Sequence, residues 1–193
     1  MISAIILAAG TSARMGRPKL LLPFRGVSLI RSVTLNVLAS AVDEVLVVSG
    51  YRAAAVNSEI EDLPVRIVYN PNYLQGQGTT LAAGARQVNP ASECFLVFMG
   101  DQPLIDAAII NRLIKEYRQS NCFALRPEYR GQPGHPVLFH GSLLEPLKTL
   151  GEDEGARKIL ARLGNRVVNL PVSNQEVIID VDTPEAYLNL IQY

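Results

Sequence analysis

The chain has 193 residues, of which 48% are hydrophobic and 19% charged, a composition that excludes an intrinsically disordered protein and fits one domain of ordinary size. Lys plus Arg and Asp plus Glu both number 18. This balance argues against the broad positive surface of a nucleic-acid or anionic-membrane binder, so we expect neither partner.

The predicted elements alternate between short β-branched runs and segments of helical period. Strands are predicted at residues 2–7, 44–49, 65–69 and 95–99, and helices at residues 28–39, 53–61, 80–87, 106–118, 154–163 and 183–191. Residues 126–136 are rich in Pro and Gly and are predicted to be a loop. This alternation favours βαβ units, and therefore a single-domain, three-layer α/β/α fold with a mainly parallel, Rossmann-like sheet.

The first apolar run ends at Gly10, far short of the ~20 residues of a membrane span, and no basic region precedes it as in a signal peptide. The two cysteines, Cys94 and Cys122, lie in apolar sequence without a CxxC or Cys/His cluster. Buried, reduced thiols of a cytoplasmic protein are therefore predicted.

The loop after the first strand contains small residues followed by basic ones. Ala8, Ala9 and Gly10 allow close approach of a ligand to backbone N–H groups, and Arg14 and Lys19 add positive charge. Neither a Walker A sequence nor GxGxxG is present. The pattern favours a phosphate site, with a turn carrying solvated basic residues as the alternative.

Residues 7–23 resemble the signature LAAGxSxRMGxxKLLLP of MobA-like nucleotidyltransferases, in the molybdenum cofactor cytidylyltransferase branch. The resemblance implies a fold of the nucleotide-diphospho-sugar transferase type. It also implies that the loop wraps an NTP, that Lys19 contacts phosphate and that Arg14 assists. The guanylyltransferase branch usually has Gly-Gly where this chain has Ala9-Gly10, which favours CTP over GTP. The implied nucleotide-binding residues of this loop are Leu7, Ala8, Ala9, Gly10, Arg14 and Lys19.

An acidic turn follows the predicted strand at residues 95–99. Asp101 could bind Mg²⁺, a hard cation that takes oxygen ligands, or it could cap the next helix. Gly100 would leave room for the nucleotide. Gly100-Asp101-Gln102-Pro103 resembles the family's GDxP motif, which implies that Asp101 is a catalytic residue and binds the magnesium ion.

A second acidic pair lies near the end of the chain, after a predicted apolar strand. Asp180 and Asp182 would face the same side if that strand continued through them. Asp182 is either a second Mg²⁺ ligand, as the family's DxDTPEDY segment implies, or a helix cap.

Further segments resemble parts of the family that meet the substrates. Gln77, Thr79 and Thr80 match a nucleotide-binding N…GxSxSL segment, although Thr79 could instead cap a helix. Residues 131–136 resemble GxxGHPV, which implies that His135 positions the acceptor or shapes its pocket. Residues 152–157 resemble GDxGAR with Glu152 in place of Gly; Arg157 could meet an anionic substrate or belong to a solvated helix face.

The resemblance extends in order from Leu7 to Tyr187. It implies Mg²⁺-dependent transfer of CMP from CTP to the terminal phosphate of Mo-molybdopterin, with pyrophosphate as the second product. A molybdoenzyme or its accessory protein is a possible transient partner. The alternatives are a related transferase that uses GTP or another phosphorylated acceptor, and a non-catalytic carrier of nucleotide or pterin.

Overall fold

The computed structural model describes residues 1–151 and 155–193. Its strands are β1 (Ile2–Ala8), β2 (Pro23–Phe24), β3 (Val27–Ser28), β4 (Glu44–Ser49), β5 (Arg66–Tyr69), β6 (Cys94–Met99), β7 (Ala124–Tyr129), β8 (Gln132–Pro133), β9 (Val137–His140) and β10 (Val167–Pro171). Its α-helices are α1 (Leu29–Leu38), α2 (Ala53–Ser58), α3 (Gln77–Ala85), α4 (Ala107–Gln119), α5 (Leu144–Lys148), α6 (Gly155–Leu163) and α7 (Pro184–Leu190).

The central sheet has the strand order β10-β7-β9-β6-β1-β4-β5. Strands β1, β4, β5 and β6 pair in parallel, as do β7 and β10, whereas β9 is antiparallel to both of its neighbours. Because consecutive parallel strands require crossovers, the helices cover the sheet. The predicted mainly parallel α/β sheet is confirmed.

Two apolar cores lie on opposite faces of the sheet. Ile6 of β1 packs on one face with residues of α1 and α4, and Ile5 packs on the other face with residues of α3, α5 and α6. This separation follows from the alternation of side chains along a strand. The predicted three-layer architecture is therefore confirmed.

A smaller third core joins the two ends of the chain. Met15 and Phe24 of the loop after β1 pack against Val181 and Tyr187, which lie just before and within α7. The Tyr187 hydroxyl also donates a hydrogen bond to the Pro23 carbonyl at 2.7 Å. The C-terminal helix thereby fixes the shape of the N-terminal loop.

The predicted loop at residues 126–136 is wrong. This segment contributes most of β7, all of β8 and the approach to β9, and Pro127 itself pairs with Leu170 of β10. The carbonyl of Pro127 accepts a hydrogen bond from the Gly134 N–H at 2.8 Å, so a residue without an N–H still takes part in the sheet. Pro and Gly in this segment favour a turn, but burial of Leu125 between neighbouring strands stabilises the strand more strongly.

The predicted strand before Asp180 is also wrong, because residues 175–178 form a 3₁₀ turn and residues 179–183 are irregular. The strand in this part of the chain is β10, which ends at Pro171. Helix α3 begins at Gln77, three residues before the predicted start at Thr80. The proposed turn at residues 152–154, and with it the predicted start of the next helix, lies outside the described residues.

Among residues 1–151 and 155–193, no helix has both the length and the apolar character needed to cross a bilayer. Cys94 and Cys122 are buried and free, as predicted. Burial raises the pKa of the Cys94 thiol to about 12, which keeps it protonated and unreactive near neutral pH.

Candidate active site

A cavity of about 600 Å³ opens at the carboxyl ends of β1 and β6, and we call it the nucleotide cavity. Leu7 and Met99 are register partners at these strand ends, so the loops that follow them leave the sheet side by side. Ligand sites of parallel sheets lie at this edge. The predicted site residues that line it are Leu7, Ala9, Gly10, Arg14, Lys19, Gln77, Thr80, Asp101 and Asp182.

The loop after β1 is held in a defined shape by Ser12. Its backbone is left-handed (φ 57°), its carbonyl accepts the Met15 N–H at 3.0 Å, and its hydroxyl accepts the Lys19 N–H at 3.1 Å. A left-handed residue followed by 3₁₀ turns directs successive N–H groups to one side, as anion-binding loops do. A Cβ added at Gly10 would meet no heavy atom within 4 Å, so this part of the loop borders open space.

Lys19 lies at the centre of a cluster of charges. Its ammonium donates a hydrogen bond to the Asp101 carboxylate and a second one, at 2.7 Å, to Oδ1 of Asp182. Arg14 Nη2 donates to the other oxygen of Asp182 at 2.6 Å. The fold thus assembles contacts between two acids and two bases that lie 82 to 168 residues apart in the chain.

The pKa values follow from these contacts. Burial opposes the charged form of Lys19, but the Asp101 and Asp182 carboxylates outweigh it and raise the Lys19 pKa above its usual 10.5. Burial likewise opposes ionisation of Asp182, yet hydrogen bonds and charge from Lys19, aided by Arg14, lower the Asp182 pKa. Lys19 and Asp182 are therefore both charged at neutral pH.

The helix-capping alternatives for Asp101 and Asp182 are both wrong. The cap of α4 is Asp106, whose carboxylate accepts the Ile109 N–H at 2.9 Å. The cap of α7 is Thr183, whose hydroxyl accepts the Ala186 N–H at 3.1 Å. Neither Asp101 nor Asp182 is therefore needed as a helix cap.

These carboxylates fit a divalent cation. Oδ1 of Asp101 is buried and has no hydrogen-bond partner, which is costly for a carboxylate oxygen unless a ligand completes its coordination. Within the described residues, no group of three or more potential metal ligands occurs. Mg²⁺ needs only one or two protein carboxylates when substrate phosphates supply other oxygens, so Asp101 and Asp182 could hold it.

Asp180, which was predicted to face the same side as Asp182, lines the same cavity. Burial raises its pKa, and the neighbouring charges of Asp182 and Asp101 raise it further. Three carboxylates, those of Asp101, Asp180 and Asp182, thus line the nucleotide cavity.

Three predicted nucleotide-binding residues do not line the cavity. The Ala8 side chain is buried in the core. Thr79 lies in the first turn of α3, and its hydroxyl bonds the Gly76 carbonyl at 2.9 Å and the Asn70 amide at 3.0 Å, so it shapes the preceding loop. Its predicted role as the helix cap is wrong, since Gly76 occupies that position.

The prediction that Gly100 leaves room for a nucleotide is wrong. Gly100 is needed for chain packing and does not line the nucleotide cavity. A Cβ at this position would lie 2.9 Å from the Leu7 carbonyl oxygen, which accepts the Gly100 N–H at 3.0 Å. The close approach of the two strand ends therefore requires glycine.

His135 lies in a second cavity of about 670 Å³, which we call the acceptor cavity. The acceptor cavity shares Leu7, Gln77 and Arg157 with the nucleotide cavity, so the two spaces adjoin. The backbone N–H of His135 donates a hydrogen bond to the Val177 carbonyl at 2.9 Å. Burial lowers the pKa of the His135 imidazole. Arg126 also lines this cavity; sequence reasoning missed it because β7 was taken for a loop.

Comparison with known proteins agrees with this arrangement. A MobA-like NTP transferase domain matches residues 4–167. The chain is 30% identical to nicotine blue oxidoreductase of Paenarthrobacter nicotinovorans, over 98% of this chain and 96% of that protein. It is 29% identical to molybdenum cofactor cytidylyltransferase of Escherichia coli (strain K12), over 97% and 94%.

The fold agrees as well. A nucleotidyl transferase structure from Methanothermobacter thermautotroptrophicus superposes with a TM-score of 0.85 at 27% identity, covering 100% of this chain and 96% of that one. The domain match at residues 4–167 spans most of the sequence. The chain belongs to the MobA-like family of nucleotidyltransferases.

Proposed function

We propose that the protein transfers CMP from CTP to the terminal phosphate of Mo-molybdopterin, giving molybdopterin cytosine dinucleotide and pyrophosphate. The observation that carries the proposal is the cluster of Lys19, Asp101 and Asp182 at the junction with a second cavity. Likeness to the Escherichia coli cytidylyltransferase and the Ala9-Gly10 pair support CTP and this acceptor.

The reaction needs charge stabilisation more than covalent chemistry. An oxygen of the acceptor phosphate forms a bond to the α-phosphorus of CTP, and the bond from that phosphorus to the pyrophosphate oxygen breaks. The backbone amides after β1 and the cations of Lys19 and Arg14 would hold the triphosphate and the leaving pyrophosphate. Gln77 and Thr80, at the start of α3, would contact the nucleotide from the opposite side.

We propose that Asp101 and Asp182 hold Mg²⁺. The ion would neutralise charge on the phosphates as it builds up during transfer. Lys19 already bridges the two carboxylates, so it would move towards the triphosphate when the ion binds. The buried, unpaired Oδ1 of Asp101 supports this assignment.

His135 and the acceptor cavity would receive the pterin phosphate. The lowered pKa keeps the imidazole neutral near pH 7, so it can donate or accept a hydrogen bond without adding charge. A phosphate monoester is already largely ionised at that pH and needs no base. We also propose the cytoplasm as the place of reaction, on the two buried thiols, and a transient contact with a molybdoenzyme or its accessory protein to deliver the product.

The test is pyrophosphate release by purified protein with Mg²⁺, Mo-molybdopterin and either CTP or GTP. We expect turnover with CTP, a loss of roughly 10²-fold or more in Asp101→Asn, and little change in Asp62→Asn, a matched change at an exposed ion pair. Preference for GTP would move the protein to the guanylyl branch. Nucleotide binding without release would indicate another acceptor or a carrier.

A relative at 30% identity is named as an oxidoreductase, so family membership alone leaves the reaction to be established. Release of pyrophosphate is the discriminating readout, because oxidation or reduction of a substrate does not cleave a nucleoside triphosphate.

A further inference from the structure

The acceptor cavity combines an apolar wall with two arginines. Val97, Met99 and Phe139 of neighbouring strands supply the apolar part, and Leu160 of α6 closes one side. Such a wall suits a flat or apolar body, because burying that surface is favourable. A ligand that fills this cavity therefore has an apolar part placed between charged groups.

Arg126 is held in place by a neutral partner. Its Nε donates a hydrogen bond to Oδ1 of Asn169 on β10 at 2.8 Å, which orients the guanidinium group without neutralising it. In residues 1–151 and 155–193, no carboxylate forms an ion pair with Arg126 or Arg157. Both arginines line the acceptor cavity, where their N–H donors could meet a ligand.

Arg126 and Arg157 lie where neighbouring cavities adjoin. Both line the acceptor cavity and also an outer groove of about 360 Å³ between α6 and β10, and Arg157 lines the nucleotide cavity as well. Their charges act on the same point in the acceptor cavity, since both help burial to lower the pKa of His135, against the opposing charge of Asp101. Asp180 also lines the acceptor cavity.

We propose that Arg126 and Arg157 form the binding site for the phosphate monoester of the acceptor, and that they select phosphorylated acceptors over neutral alcohols. The inference rests on the proposed function and names two residues that would orient its acceptor. Guanidinium groups suit this task because their planar N–H donors match phosphate oxygens in pairs. Repulsion from Asp180, which lines the same cavity, would disfavour a phosphate placed beside that carboxylate.

The first experiment measures binding without turnover. Protein saturated with α,β-methylene-CTP and Mg²⁺ is titrated calorimetrically with phenyl phosphate, which joins one phosphate to one aromatic ring, and with phenol. We expect phenyl phosphate to bind the wild-type protein and phenol not to bind. In Arg157→Gln the affinity for phenyl phosphate should fall roughly tenfold or more, since a hydrogen-bonded charge is lost.

Matched variants separate recognition from folding. Arg126→Gln should have a similar effect, but it also breaks the contact with Asn169, so the exposed Arg157 carries the main test. Arg157→Lys keeps the charge without the paired donors and should fall between wild type and Arg157→Gln. Arg130→Gln, an exposed change outside the cavities that follows β7, should bind like wild type.

Turnover gives the second readout. With Mo-molybdopterin, both Gln variants should raise the KM for the acceptor by roughly tenfold. In Arg126→Gln, a residue that lines the acceptor cavity but not the nucleotide cavity, the KM for CTP should stay within about twofold. The inference is overturned if wild type and both variants bind phenyl phosphate with equal affinity, or if none of them binds it. This holds even if the enzyme turns over Mo-molybdopterin. Arginine-dependent binding of phenyl phosphate without turnover of Mo-molybdopterin supports the anion site and refutes the proposed function instead.

Discussion

Replacing Lys19 by Met should destabilise the protein and make its stability depend on magnesium. The Lys19 side chain is only 13% exposed and lies between Asp101, at 6%, and Asp182, at 28%. The variant removes the ammonium and leaves two carboxylates facing each other with no cation between them. Met keeps most of the length of the Lys side chain, so the change in stability reports the loss of the positive charge.

The magnitude follows from the burial of the partners. Removing one member of a buried ion pair costs about 3–5 kcal/mol, because the other charge stays desolvated. Asp182 is partly exposed and keeps its contact with Arg14 at 2.6 Å, so we expect a smaller cost than this, about 2–3 kcal/mol. For a chain of this length that corresponds to a drop in Tm of about 4–12 °C.

Magnesium should restore much of this loss. In the wild-type protein the Lys19 ammonium contacts both carboxylates, so a cation must displace it, whereas in Lys19→Met no ammonium competes with the cation. A ligand at ten times its Kd stabilises the folded state by about 1.4 kcal/mol. The Tm of Lys19→Met should therefore rise with MgCl₂ by several degrees, and the Tm of the wild type by less.

The assay is thermal unfolding followed by circular dichroism without nucleotide, with NaCl of equal ionic strength as the salt control. Lys115→Met, which removes an exposed lysine of α4, is the matched variant and should melt like wild type in both salts. Equal Tm values for Lys19→Met and wild type, or equal shifts with MgCl₂, would show that Lys19 does not compensate these carboxylates.

Three further predictions test the site and its supports. Gly10→Ala should leave Tm unchanged, since its Cβ meets no atom within 4 Å, yet raise the KM for CTP roughly tenfold because the methyl group would stand between the loop and the phosphates; an unchanged KM would remove Gly10 from the site. His135→Gln should flatten the pH dependence of stability. The folded pKa of His135 lies below its ordinary 6.5, so its contribution is fully present above pH 6.5 and is lost as pH falls through the folded value; parallel Tm profiles of variant and wild type from pH 5 to 7 would contradict this. Asp106→Ala should cost about 1 kcal/mol through the lost cap of α4 and leave the KM for CTP unchanged, as measured by denaturant unfolding and steady-state kinetics; equal unfolding midpoints would show that this cap is dispensable.

The elements at the centre of the fold could be read from the sequence because their signals are local. β1, β4 and β6 are continuous apolar runs, buried on both faces, and their ends are marked by Gly10, Gly50 and Gly100. The loops after β1 and β6 also carry the small, basic and acidic residues of the site in fixed order. A parallel sheet then places those loops at one edge, so most of the predicted lining residues were found.

Residues 124–140 were misjudged because their strands depend on partners elsewhere. Pro127 and Gly134 are turn formers in isolation, and only pairing with β9 and β10 makes the segment part of the sheet. Arg126 was missed for the same reason, since its place in the acceptor cavity follows from that pairing. Gly100 was misassigned because the carbonyl of Leu7, 93 residues away in the chain, decides what fits beside it.

The sequence by itself determined the class of fold and identified the loop after β1 and the carboxylates as candidates for the site, since each is a short pattern with its own chemistry. Only the tertiary structure decided which groups meet. Packing of α7 against the N-terminal loop brings Asp182 to Arg14 and Lys19, and the same packing gives the helix cap to Thr183 instead of Asp182. Contacts between residues more than 160 positions apart depend on the burial of apolar side chains over the whole chain, and no local pattern specifies them.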